Sequence, residues 1–215
     1  MGPLPLDPAL FRRDDEAPDA QFYRVPRFVA HIDAATIAVL TRFYREYLPP
    51  GGAVLDLMSS WISHLPPEVE YGRVAGLGMN RQELESNSRL TDFAVCDLNR
   101  EPELPYADAS FDAVVSAVSI QYLIRPVEVF ASIRRVLRPG GLCVVAMSHR
   151  LFPTKAIAGF RQLPAAERIR LVLTYFVAAG GFDTPEFLDR SPPDADPLWV
   201  VLGRREQRKN KEQDL

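Results

Sequence analysis

Between residues 53 and 148 the chain repeats one unit: a short apolar run, a break, and often a stretch with helical spacing. The runs read "AVLDLM", "RVAGLGM", "DFAVCDL", "FDAVVSAVS" and "GLCVVAMS", with the helical stretches "NRQELESNSRL" and "RPVEVFASIRRVL" between them. The first four runs lack strict apolar–polar alternation, which is the pattern of strands covered on both faces. Such strands need helices above and below, and short crossovers then make them parallel. The pattern predicts an α/β fold with a Rossmann-like, doubly wound, mostly parallel sheet.

The flanks complete that sheet. Upstream, "HIDAATIAVLTRFYREYLPPGG" places Ile32, Ala35, Val39, Phe43 and Tyr47 at helical spacing, with Asp33 as N-cap and Pro49, Pro50 and Gly51 as the stop. Downstream, "AAERIRLVLTYFVAAGGF" reads as a helix ending at Gly180 and Gly181. Two extended pieces follow, near "EFLDRS" and "PLWVVLGRR". The loop between them is too short for a crossover helix, so they are expected as an antiparallel pair at the sheet edge, making seven strands. Residues 1–20, rich in proline and acid, read as a flexible N-terminal arm that Leu10 and Phe11 could anchor, residues 21–204 as one domain, and residues 205–215 as a charged, solvated tail.

Composition narrows the function. A chain of 215 residues suits one domain, which buries roughly 70 % of its unfolded surface. A net charge of −3 gives no basic field for nucleic acid or anionic lipid, so neither a nucleic-acid nor a membrane partner is expected. No apolar stretch reaches membrane-spanning length and no signal segment opens the chain, which points to the cytoplasm. The two cysteines, Cys96 and Cys143, lie in apolar runs and read as buried strand thiols; no metal site is expected.

In open α/β sheets ligands bind beyond the carboxyl ends of the strands, where strand order reverses. Here the acid ends the first strand (Asp56) and the second ends in Gly78, the reverse of what a nicotinamide dinucleotide site requires. An acid there, followed by "DLNREPELPYADASFDAVVSAVSIQYL" and "RVLRPGG", resembles the class I S-adenosylmethionine-dependent methyltransferases, in particular the type 11 group, over about residues 22–204. The resemblance implies that Asp56 holds the amino group of the cofactor's methionine, and that Asp97 and the Leu98 N–H meet the adenine. It places Asp112 near the start of the fourth strand, where turn and capping duty competes with a ligand role.

Two departures stand out. The first-motif glycines align with Met58, Ser60 and Ile62, and the acid that takes the ribose hydroxyls aligns with Gly78. A non-glycine residue at φ > 0 costs about 1–2 kcal/mol, so the loop is expected to take another path. Ser59, Ser60 and Ser63 then offer hydroxyls to the cofactor carboxylate, and Asn80, beside Met79, reaches the ribose. The competing reading of "MSSWISH" is a packed turn with Trp61 and Ile62 in the core and the serines capping a following helix that carries His64.

After strand four, Ser119 is expected at the cofactor, and Gln121 and Tyr122 are expected to line the methyl-donor site. His149, after strand five, is a base candidate or a structural histidine. "DAQFYRVPRFVAHID" is either a lid bringing Tyr23, Arg27 and His31 over the site or an amphipathic helix packed on the sheet. The assembled expectation is a methyltransferase acting on a small molecule, monomeric or homodimeric, with Tyr122 and His149 as catalytic candidates. The alternative is a methyltransferase-fold protein that has lost catalysis and serves as a binding or regulatory module.

Overall fold

The computed structural model describes residues 3–207. Seven strands form one mixed sheet in the order β3-β2-β1-β4-β5-β7-β6. They are β1 (Ala53–Leu57), β2 (Arg73–Gly78), β3 (Asp92–Val95), β4 (Phe111–Ala117), β5 (Leu137–Met147), β6 (Glu186–Asp189) and β7 (Trp199–Arg204). The first five run parallel, β7 is antiparallel to β5, and β6 closes the edge antiparallel to β7. Strand order reverses between β1 and β4, which puts the crevice at their carboxyl ends.

The helices are α1 (Asp19–Phe22), α2 (Ala34–Tyr47), α3 (Arg81–Glu85), α4 (Pro126–Val136), α5 (Ala158–Gln162) and α6 (Ala165–Ala179). Adjacent strand residues serve opposite layers, so neither face shows a polar alternation. Leu55, Leu57, Leu77 and Val145 pack with Val129, Phe130 and Ile133 of α4 and with Leu171, Tyr175 and Phe176 of α6. Val54, Val74, Val115 and Val144 face Leu40, Phe43 and Tyr44 of α2. Asp33 caps α2 as expected, accepting the Thr36 N–H at 2.9 Å. The buried stripe is Thr36, Leu40, Phe43 and Tyr44, however, and Ala35 is exposed. Asp196 explains the offset: it accepts the Asp33 N–H while its carbonyl accepts the Thr36 hydroxyl, and this rotates the first turn.

Two expectations change here. The segment from residue 3 to 22 is not a loose arm: Leu4, Leu6, Leu10 and Phe11 pack against the core. Lys155, fully buried, ties it down through Asp15 and Asp19, each 3.1 Å from Nζ. A buried ammonium requires such partners. The second change concerns the β1–β2 connection, which contains no helix; residues 58–72 are irregular. Pro66 and Pro67 lack the N–H groups a helix would use, and Met58 and His64 take φ near +56° and +55°. His64 therefore sits on a loop, and the serines cap no helix. Of the charged tail, Arg205 still bridges to Phe182, and residues 208–215 lie outside the described residues.

Candidate active site

The carboxyl ends of β1, β2 and β4, together with the chain beyond β3, wall a cleft that opens to solvent. The sequence candidates Asp56, Met58, Ser59, Ser60, Gly78, Met79, Asn80, Asp97, Leu98, Ser119 and Tyr122 all line it, as do Tyr23, Arg27 and His31. His149 does not. Its Nε2 lies 2.9 Å from Asp196 Oδ1 on the far side of the β5 terminus, half exposed, so the structure removes it from the cleft.

Asp56 is one of three buried carboxylates lining the cleft, with Asp19 and Glu83. Ser59 and Ser63 donate their hydroxyls to the same Asp56 oxygen, Oδ2, at 2.6 and 2.7 Å, which leaves Oδ1 for a ligand. Burial pushes its pKa up to about 6, and the two hydroxyls only partly offset that. Ser63 is fixed in turn by Asn87, whose amide donates to Ser63 Oγ and to the Ser60 carbonyl, both at 2.9 Å. The serines therefore serve the carboxylate.

The first-motif loop keeps the left-handed residue that a glycine would supply, but uses Met58 for it. The expectation that the loop avoids φ > 0 fails at that position and holds at Ser60 and Ile62. Gly78 is explained by packing. A Cβ there would stand 2.3 Å from the Ser59 carbonyl oxygen, whose own N–H donates to the Leu77 carbonyl at 2.7 Å. The loop crosses β2 closely because residue 78 has no side chain. Trp61 lies outside the cleft, donating its indole N–H to the Val29 carbonyl and meeting Phe28 edge-on. Ile62 narrows the cleft without filling it.

Asn80 has no free end for a ribose. Its Oδ1 caps α3 at the Glu83 N–H, and its Nδ2 donates to the Tyr23 and Arg24 carbonyls. The group that reasoning from the sequence missed is Glu83, one turn into α3. Its carboxylate lines the cleft, taking the Ser60 hydroxyl on one oxygen and the Arg27 N–H on the other, both at 2.7 Å. Asn99, at the end of the third strand's turn but without an expected role, bridges Asp19 Oδ2, the Tyr122 carbonyl and the Ile124 N–H. An acid at the third helical position after an Asn N-cap was the available signal for Glu83.

Asp97 closes a turn on the Asn99 N–H, while the Leu98 N–H has no acceptor among the described residues. Cys96 sits past β3 at the cleft wall, half buried, rather than inside a strand as expected; Cys143 is buried in β5. Ser119 shares a hydrogen bond with Ser116 at 2.8 Å, and Val118 before it is held at φ 50°, a strained value for a β-branched residue beside a ligand cleft. Gln121 braces the Val118 and Arg150 carbonyls and stays off the cleft, and Asp112 does the structural duty, accepting the Ala53 N–H and pairing with Arg138.

The segment from Tyr23 to Ile32 is irregular, not an amphipathic helix; it takes hydrogen bonds from Asn80 and Trp61 and donates one to Glu83. Arg27 stacks over Phe22, Phe152 and Tyr23 at 4.2, 5.4 and 5.8 Å and donates to the Phe22 carbonyl. Tyr122 stacks on Phe152 and its hydroxyl accepts the Phe152 N–H at 2.8 Å. His64 faces the cleft with Nδ1 unpartnered, and burial, with His31 nearby, lowers its pKa to about 4, so its imidazole is neutral.

Residues 66–145 match the family model described as "Methyltransferase domain". That stretch, less than half of the chain, is what resembles a methyltransferase domain. The chain is 34% identical over 108 residues to the ubiquinone/menaquinone biosynthesis C-methyltransferase UbiE of Desulfotalea psychrophila, a match covering 45% of this chain and 41% of that protein. The chain thus spans about two-fifths of the relative's length. Among solved structures the domain resembles the [4+2]-cyclase SpnF, with TM-score 0.58 and 18% identity over 78% of this chain and 81% of that one. It also resembles an S-adenosylmethionine-dependent methyltransferase from Mesorhizobium loti, with TM-score 0.56 and 17% identity over 78% of this chain and 98% of that one. The fold is the class I methyltransferase fold. A cyclase among these likenesses shows that the fold alone does not fix the reaction.

Proposed function

We propose that the protein is an S-adenosylmethionine-dependent methyltransferase acting on a small molecule. One observation carries the reading: Asp56 at the end of β1, Asp97 and Leu98 beyond β3, and Ser119 beyond β4 share one cleft at the reversal point of a methyltransferase fold. The residues fit the cofactor by their chemistry. Asp56 keeps an oxygen for an ammonium group, the Leu98 N–H lacks an acceptor, and Glu83 supplies the acid for ribose hydroxyls that Gly78 cannot.

When bound, the cofactor supplies an activated methyl group for in-line displacement. The chain contributes positioning and exclusion of water. Met79 and Leu98, which line the cleft beyond β2 and β3, would cover the purine, and Tyr23, Tyr122 and Phe152 would enclose the acceptor side. Tyr122 positions rather than titrates, because its hydroxyl already takes the Phe152 N–H and burial raises its pKa.

Calorimetry with S-adenosylmethionine and S-adenosylhomocysteine tests the reading, and absence of heat with the wild-type chain would overturn it. A second reading, a catalytically silent binding module, draws on the missing β1–β2 helix, which removes a helix N-terminus from the cofactor's side of the cleft. Transfer of labelled methyl in a screen of small acceptors separates the two.

A further inference from the structure

The outer face of the lid is apolar where a water-facing loop should be polar. Val25, Phe28 and Val29 are 61%, 51% and 52% exposed, at the tip of an irregular segment whose inner side covers the cleft. The backbone behind them is held from several sides. The Asn80 amide donates to the Tyr23 and Arg24 carbonyls, Glu83 accepts the Arg27 N–H, and the Trp61 indole donates to the Val29 carbonyl. The apolar side chains are therefore presented by a braced loop. Charge points the same way: residues 20–32 contain no carboxylate, and of their basic groups Arg27 and His31 line the cleft while Arg24 faces outward. Arg24 is exposed at the tip.

We propose that this lid docks on an anionic lipid surface, with Val25, Phe28 and Val29 entering the headgroup boundary and Arg24 meeting lipid phosphate. A protein partner fits less well, because a stable protein interface uses about 20–30 residues a side, whereas shallow insertion needs only a few apolar side chains and a cation. Docking does not depend on the reaction in the cleft. Its corollary, that the methyl acceptor is amphipathic and enters from the lipid side, rests on the methyl-transfer reading.

Sedimentation of the full chain with vesicles tests docking directly, without cofactor. With vesicles of phosphatidylcholine and phosphatidylglycerol in a 1:1 ratio, a clear bound fraction is expected, falling at least fivefold on pure phosphatidylcholine or in 0.5 M salt. Phe28→Glu with Val29→Glu is expected to reduce binding at least tenfold, and Arg24→Gln to reduce it on the anionic vesicles alone. Should the double variant fail to fold, Val25→Ser, at the most exposed of the three positions, is expected to lower binding threefold with its thermal midpoint unchanged. No sedimentation of the wild type, or sedimentation that the substitutions leave unaltered, overturns the proposal. Capture of a protein through this face without vesicle binding overturns it too. Calorimetry with S-adenosylhomocysteine reports separately on the cleft, so the two readings fail independently.

Discussion

Replacing Asp56 by asparagine should stabilise the fold and damage the site, and the two effects have different pH signatures. Burial raises the Asp56 pKa from 3.8 to about 6. At 1.36 kcal/mol per pH unit, that gap corresponds to about 3 kcal/mol between the protonated and ionised native protein. Below pH 3.8 the side chain is protonated in both states and contributes nothing. Between 3.8 and 6 the unfolded chain ionises while the native one keeps its proton, so the native state binds more protons and stability falls as pH rises. Above 6 the full cost is present. Asparagine keeps an oxygen for the Ser59 and Ser63 hydroxyls and carries no such charge. Urea unfolding of both proteins from pH 4 to 8 should show the variant gaining up to about 3 kcal/mol across this window and then levelling. Near neutrality that is a rise of about 6–12 °C in thermal midpoint for a domain of this size. Binding of S-adenosylhomocysteine should weaken at least a hundredfold, since its ammonium group would lose a desolvated partner. In the wild type the affinity should rise with pH through about 6. A stability difference that is flat with pH, or that grows as pH falls, would refute the burial argument.

Four further outcomes are expected. Gly78→Ala places a methyl group against the Ser59 carbonyl, and should cost about 1–3 kcal/mol in urea unfolding and weaken cofactor binding severalfold, because the loop carrying Ser59 must move. Glu83→Gln keeps the shape of the contact to Ser60 and Arg27 but removes the charge; binding of S-adenosylhomocysteine should fall more than binding of its 2′-deoxy analogue, and equal losses would take Glu83 away from the ribose. Lys155→Met removes the ammonium between Asp15 and Asp19, but Asp19 keeps Arg13 and Asn99 and Asp15 is partly exposed, so the change should destabilise by about 1–3 kcal/mol, read as a lower urea midpoint. His149→Ala, outside the cleft, should leave cofactor affinity within twofold by calorimetry.

Much of the architecture is legible because the sheet is buried on both sides. Val54 and Leu55 face different helical layers, so the strand cannot alternate with polar residues and must read as an apolar run. Helix ends governed by local chemistry, such as Asp33 and Gly180, are visible for the same kind of reason. What the sequence hides is set by contacts across long separations. Asp196 fixes the phase of α2 from 163 residues away, and Lys155 orders an N-terminal segment whose composition alone suggests a loose arm. The site divides similarly: strand-end residues such as Asp56 and Asp97 fall where topology places them, while Asn80 is taken by the lid and Glu83 enters from a helix.

The glycine-poor loop follows from the same hidden contacts. A glycine-rich turn lets the backbone approach a ligand and hands the chain to a helix whose N-terminus faces that ligand. Here no helix follows, so the loop is braced sideways instead: Ser59 and Ser63 onto Asp56, Ser60 onto Glu83, and Asn87 onto both serine segments. Each brace is a side chain that glycine could not provide. Met58 and His64 take left-handed conformations, and Gly78, on the neighbouring strand, must stay small because the Ser59 carbonyl oxygen lies against it. In this arrangement the fixed charge offered to a ligand comes from two carboxylates on different elements, joined through Ser60 and Arg27 to the lid. Substituting Ser60 by alanine should therefore loosen the lid as well as the loop, seen as faster amide exchange at Arg27, whose N–H shares the Glu83 carboxylate. Unchanged protection there would show that loop and lid are held separately.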